Sequence, residues 1–176
     1  GSEMCIRDRL YKYDNKTKEY VKDITIDSDF ELLFPDDYIN NVTERLNLYT
    51  KLNTLNSEED LTQFESELND RFGELPIQVI DLLDSVRIKW LAAKIGLEKI
   101  VMKHGKMIGY FISDQQSSFY QSSSFTKVLN YVQQHGKSCK MKEKQTRNGL
   151  RLLINFEDIT TIKKALSALE SIFTVA

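Results

Sequence analysis

The sequence predicts an α+β fold: a three-helix N-terminal layer followed by a ββα-ββα antiparallel sheet with helices on one face. Two observations carry this expectation. Between Asn41 and Ile95, apolar residues recur three times at helical spacing, with capping residues between the runs. After Gly96 the apolar period changes from 3.6 to 2, and a strand–strand–helix pattern then occurs twice.

Residues 1–23 are set aside as a tag remnant and a poorly assigned N-terminal arm, and residues 24–176 are taken as the domain. Gly1-Ser2 reads as a remnant of tag cleavage, and Glu3–Arg9 carries no assignable pattern. Leu10–Asp23 is polar, an arm or an edge strand. Ile24-Thr25-Ile26 is a short β-prone segment. The apolar run Glu31–Phe34 is stopped by Pro35, and Pro35-Asp36-Asp37 is turn chemistry.

The first helix, about Asn41–Asn53, opens on an Asn-x-x-Glu pattern that resembles a capping box (Asn41, Glu44). It carries Val42, Leu46 and Tyr49 on one stripe and Leu48, Leu52 and Leu55 beside it. The second follows Ser57, with Leu61, Phe64, Leu68 and Phe72 on one stripe, acids in the first turn and Gly73 past its end. Pro76 opens the third, about Pro76–Ile95, with Val79, Leu83, Val86 and Trp90 on a stripe. Lys99–Lys103 and Met107–Ile112 flank His104-Gly105-Lys106 as a hairpin. Ser113–Ser124 reads as a loop. Phe125, Val128, Leu129 and Val132 form a short helix ended by Gly136. Cys139 and Met141 alternate in one strand, and Leu150, Leu152, Ile154 and Phe156 in the next, with Asn148-Gly149 at the turn. Asp158 is expected to cap a last helix carrying Ile159, Ile162, Leu166, Leu169 and Phe173.

A chain of 176 residues with 41% hydrophobic and 28% charged residues can bury a core without staples. The net charge of −2 gives no global pull toward nucleic acid or a membrane surface, and no apolar run approaches the ~20 residues of a membrane span. Cys5 and Cys139 lie far apart, which fits free thiols in a reducing compartment. Neither a P-loop nor a Gly-x-Gly-x-x-Gly motif occurs. His104 and His135 border glycines outside any ligand-spaced group, and Asp36-Asp37 reads as a turn, so no catalytic or metal residue is assigned. Trp90 falls on a core stripe.

Two charged stretches stand out. Ser57–Glu74 holds seven acids against Arg71, and Glu59, Gln63, Glu67 and Asp70 fall on the side of the helix away from its apolar stripe. A solvated face and a docking face for a basic partner both fit that charge. Lys137–Arg151 holds six bases, including Lys140, Lys142, Lys144 and Arg147, against Glu143. This hairpin is either a nucleic-acid contact or an edge guarded by lysines.

The run Leu33-Phe34-Pro35-Asp36-Asp37-Tyr38-Ile39, then Arg45-Leu46-x-x-Tyr49-x-Lys51-Leu52, Glu67-Leu68-x-Asp70-Arg71-Phe72-Gly73-x-Leu75-Pro76 and Ala93-Lys94-x-Gly96-Leu97-x-Lys99-Ile100, resembles the C-terminal domain of bacterial transcription-repair coupling factors. The resemblance covers roughly residues 24–100. It implies a whole protein that is an ATP-driven double-stranded DNA translocase with ATP and Mg at its motor, cytoplasmic, acting on stalled RNA polymerase and recruiting UvrA. The motor motifs are absent from this chain, so the resemblance implies a fragment without catalysis or cofactor. It implies docking on the N-terminal UvrB-like module, masking the UvrA-binding surface, with acids mapping onto Glu67 and Asp70. No membrane contact is implied.

Overall fold

The computed structural model describes residues 18–174. Most of the expected arm lies outside them. The described chain divides into two compact units: Glu31–Arg87, and the residues up to Phe30 together with those from Ile88 onward.

The Glu31–Arg87 unit is helical. Helix α1 spans Val42–Thr54, α2 spans Glu58–Phe72, and α3, Ile77–Ile95, begins in this unit. Asn41 caps α1 as its sequence predicts, its Oδ1 accepting from the Glu44 N–H at 2.9 Å. The return half of the capping box is not seen, because the Glu44 carboxylate pairs with Arg71 of α2. Ser57 Oγ accepts from the Asp60 N–H at 3.2 Å and caps α2. Gly73 ends α2 at φ +89°, and its N–H donates to the Asn69 carbonyl at 2.9 Å.

The structure chooses between the two apolar stripes of α1. Leu48 and Leu52 are buried, whereas Val42 and Leu46 are 59% and 60% exposed. Both stripes have helical spacing, so periodicity cannot choose between them. The preceding segment does: the Phe34 N–H donates to Tyr49 Oη at 2.8 Å, and Arg45 Nη1 donates to the carbonyl of buried Ile39 at 2.6 Å. These contacts turn the Arg45–Leu48–Tyr49–Leu52 side inward.

The other unit is built on a five-stranded sheet of order β1-β2-β3-β5-β4: β1 Thr25–Ser28, β2 Leu97–Lys103, β3 Lys106–Phe111, β4 Cys139–Thr146 and β5 Gly149–Phe156. Four strands pair antiparallel, but β1 joins β2 in parallel, with Ile26 opposite Ile100. The four strands of the expected ββα-ββα pattern are thus antiparallel, and the short β-prone segment at Ile24–Ile26 adds a fifth, parallel strand. The chain between β1 and β2 includes α1–α3, a connection long enough to return the second strand in the same direction. His104 (φ +56°) and Gly105 (φ +74°) join β2 to β3 with the two left-handed residues that match strand twist.

Directly paired residues share a face of the sheet. One face carries Ile100, Met102, Met107, Phe111, Cys139, Ile154 and Phe156, all buried. Helix α4 (Ser123–Gln134) meets it: Phe125 lies 6.0 Å from Phe111, and Tyr131 lies 6.4 Å from Phe156. Lys127 of α4 sits over the Phe173 ring of α5 (Ile162–Thr174) at 5.8 Å.

Two further expectations fail locally. The serine-rich segment is not plain loop: a short 3₁₀ turn at Ser118–Gln121 buries Phe119 completely, and Ser122 Oγ caps α4 by accepting from the Phe125 N–H at 3.3 Å. Serines read as loop composition act here as caps. Asp158 does not cap α5; it sits at φ +57°, and Thr161 Oγ1 accepts from the Lys164 N–H at 3.1 Å instead. Ile159, expected in that helix, is buried ahead of it, where its N–H donates to the Gly105 carbonyl at 2.8 Å.

Candidate functional site

Charge separates between the units. Glu31–Arg87 holds thirteen acids and four bases, a net −9, whereas the described residues of the sheet unit hold sixteen bases and ten acids, a net +6. The chain's overall −2 conceals both values.

In the helical unit the acids of α2 divide by position around the helix. Glu58, on one flank, chelates Arg87 of α3, whose Nε and Nη2 each lie 2.8 Å from a Glu58 oxygen. Arg87 Nη1 also donates to the buried Asp84 at 2.6 Å. Burial pulls the Arg87 pKa down, but the hydrogen bonds and charges of Glu58 and Asp84 more than reverse this, leaving it above its ordinary value. This charge-assisted fork fixes α2 against α3.

Glu67 lies on the opposite flank. Its Oε2 is 2.8 Å from Lys51 Nζ of α1. Glu44, Asn47, Leu48 and Lys51 of α1, with Phe64, Glu67, Leu68 and Arg71 of α2, line an open groove of ≈ 280 Å³. Two ion pairs cross it, Lys51–Glu67 and Arg71–Glu44. Glu67 therefore does not stand free on the outer face, as the helical wheel suggested. At 100° per residue it lies nearer the groove than Glu59, Gln63 and Asp70 do. Those three are exposed, and neither Glu59 nor Asp70 has an ion-pair partner among the described residues.

In the sheet unit, Lys140, Lys142 and Lys144 alternate along the edge strand β4 and are all exposed, with Arg147 exposed in the turn beyond. Register puts the three lysines on the face opposite α4. A row runs straight across four strands, Lys99–Tyr110–Leu153–Lys142, with a second beside it, Val101–Ile108–Asn155–Lys140, and a third, Arg151–Lys144. Tyr110 lies under two cations, Lys99 Nζ at 5.7 Å and the Arg151 guanidinium at 5.3 Å from the ring centroid. Acids pair with the bases around this centre: Glu98 with Arg151 (3.6 Å), Asp27 with Lys103 (3.1 Å) and Glu157 with Lys106 (3.8 Å). Lys140, Lys142, Lys144 and Arg147 have no such partner among the described residues.

Tyr110 and Lys99 are the members of this surface that linear reading missed. Their signal was the strand register, which is not visible until the pairings of β3 with β2 and β5 are known. Cys139 is buried on the opposite face, and burial pushes its thiol up to about 12, so it is no nucleophile at neutral pH. Among the described residues no three His, Cys, Asp or Glu side chains gather as a metal-binding group, and no helix is long and apolar enough to cross a membrane.

Residues 28–122 match the family model of the TRCF domain. The chain belongs to the transcription-repair-coupling factor family. Family members named transcription-repair-coupling factor include that of Rickettsia prowazekii, 29% identical over 77% of this chain and 11% of the relative. The Rickettsia conorii protein is 32% identical over 67% of this chain and 10% of the relative, and the Escherichia coli protein 40% identical over 39% and 6%. The chain thus spans about a tenth of the length of the Rickettsia relatives. The crystal structure of the C-terminal domain of a transcription-repair coupling factor shares its fold, with a TM-score of 0.62 at 19% identity, covering 91% of this chain and 95% of that one.

Proposed function

We propose that this chain is the non-catalytic regulatory domain of an ATP-dependent double-stranded DNA translocase, and that it docks through α2 on the UvrB-like N-terminal module of the same protein. Docked, it masks the surface that recruits UvrA. Engagement of stalled RNA polymerase and DNA by the other modules releases it. The observation that carries this reading is the exposed row Glu59, Gln63 and Asp70 on a helix whose caps and Glu58–Arg87 fork hold it rigid, in a unit of net −9.

The physical logic favours a weak, charged contact. Rim charges orient a dock and exclude wrong partners without making it permanent. Tethering within one chain supplies a high effective concentration, so a modest interface suffices. A competing ligand then shifts the balance with a few kcal/mol of differential affinity. Glu67 contributes through its pair with Lys51, which holds α1 beside α2 and leaves Asp70 as the outward acid.

The test is calorimetric titration of this chain with the separately produced UvrB-like module, at low and moderate salt. An exposed ion pair contributes about 0.2–1 kcal/mol, and reversal turns attraction into repulsion, so Glu59→Arg/Asp70→Arg should weaken binding by about 1–4 kcal/mol. Glu67→Arg is the less informative variant, because it also breaks the pair with Lys51 and brings a second cation beside Arg71. Undiminished binding by Glu59→Arg/Asp70→Arg would remove α2 from the interface, and no binding near roughly 1 mM would remove the dock.

A further inference from the structure

We infer that the sheet face opposite α4 binds a single-stranded nucleic acid, with the β4 lysines on its phosphates and Tyr110 beneath a base. The inference is independent of the docking reading, whose residues lie on α2. Three features of the face carry it: a row of cations without an ion-pair partner among the described residues, an aromatic platform in register with that row, and three acids, Asp27, Glu98 and Glu157, that pair with Lys103, Arg151 and Lys106 rather than with the row.

Lys140, Lys142 and Lys144 are alternate residues of one strand, so their stems leave the same face at intervals of roughly 6.7 Å. Arg147 extends the line at the β4–β5 turn. Such spacing tracks a backbone of regularly repeated negative charge. Lys142 shares a cross-sheet row with Tyr110, two strands away, or roughly 9–10 Å. A nucleotide whose phosphate meets Lys142 can therefore lay its base toward Tyr110. Lys99 and Arg151 lie over that ring, and both are flexible, so a base displaces them sideways, where their charge adds to the phosphate track. Val101 and Ile108, half-buried on the same face, supply an apolar surround.

A duplex would meet the lysine row and nothing else, since its bases are stacked inside and cannot reach a ring on a sheet surface. An acidic peptide would also meet the lysines, but Tyr110 gives it no comparable partner. The aromatic in register with the cations is what selects bases that are free to stack.

The experiment is fluorescence anisotropy of the whole chain with a short labelled single-stranded oligonucleotide of mixed sequence, a duplex of the same length, and a polyglutamate peptide. Four phosphate contacts predict a slope of about −2.8 in log affinity against log salt, or about fifty-fold weaker binding between about 50 and about 200 mM salt. Lys140→Glu/Lys142→Glu/Lys144→Glu should flatten that slope to about −0.7 or shallower. Tyr110→Leu should weaken single-strand binding by about five- to 150-fold and leave duplex binding unchanged. Glu59→Gln, on α2, should change neither. The proposal fails if wild-type chain at about 0.1 mM does not bind the single strand at low salt. It also fails if duplex or polyglutamate binds as tightly, or if Tyr110→Leu matches wild type. Circular dichroism checks each variant's fold; should the triple reversal not fold, the wild-type salt series and Tyr110→Leu decide between these outcomes.

Discussion

Gly96 stands between α3 and β2 at φ +81°, and replacing it with alanine tests the packing of the sheet unit at its tightest point. A Cβ there would lie 2.6–2.7 Å from three atoms of the Phe119 ring. That ring cannot retreat. It is fully buried, with Phe125 and Tyr20 at 5.3 Å, Tyr120 at 5.4 Å and Phe111 at 6.0 Å between centroids. The backbone is held as well, since the Gly96 carbonyl accepts from the Ile112 N–H at 3.0 Å. A left-handed backbone costs a residue with a Cβ about 1–2 kcal/mol, and forced overpacking adds about 1–3 kcal/mol. Gly96→Ala should therefore destabilise by about 2–5 kcal/mol, or about 4–20 °C in Tm. Gly149→Ala is the control: its φ is +108°, but nothing lies within 4 Å of the added carbon, so only the backbone cost of about 1–2 kcal/mol remains. Urea unfolding followed by circular dichroism measures both. In Gly96→Ala/Phe119→Leu the smaller side chain should recover about 0.5–3 kcal/mol relative to additivity. A Gly96→Ala protein within about 0.5 kcal/mol of wild type, or a strictly additive double variant, would refute the clash.

Two other outcomes follow from burial. Leu52→Ala should cost about 2–5 kcal/mol, whereas Leu46→Ala, at a residue 60% exposed, should stay within about 0.5 kcal/mol; the reverse order in urea midpoints would return the α1 core to the Val42–Leu46 stripe. Burial lowers the Lys94 ammonium from 10.5 to about 8, so between those values the unfolded chain holds a proton that the folded chain has lost, and stability rises with pH across that window. Lys94→Met should abolish that rise, so its stability relative to wild type should fall from pH 8 toward 10.5. A difference that stays flat across that window would contradict the buried ammonium.

Much of this protein is legible in its amino-acid order because the signals are local. Asn41 and Ser57 start helices with their own side chains, Gly73 and His104-Gly105 turn the chain where positive φ is required, and the apolar period separates helices from strands. The acidity of α2 and the basicity of the β4–β5 hairpin are equally local, as are the runs around Pro35 and Arg71-Phe72-Gly73 that mark the family. Tertiary structure decided what depends on partners distant in sequence. Leu48 and Leu52 became core, and Val42 and Leu46 surface, because the Phe34–Ile39 segment closes on one side of α1. Glu67 and Asp70 are three residues apart on one helix, yet Lys51 of α1 engages only Glu67. Tyr110 joined Lys99, Arg151 and Lys142 on one face because β3 lies between β2 and β5. Local sequence sets which way each backbone turns and which side chains avoid water; only long-range pairing sets which of those side chains meet, since register and helix rotation are fixed by contacts that no short window contains.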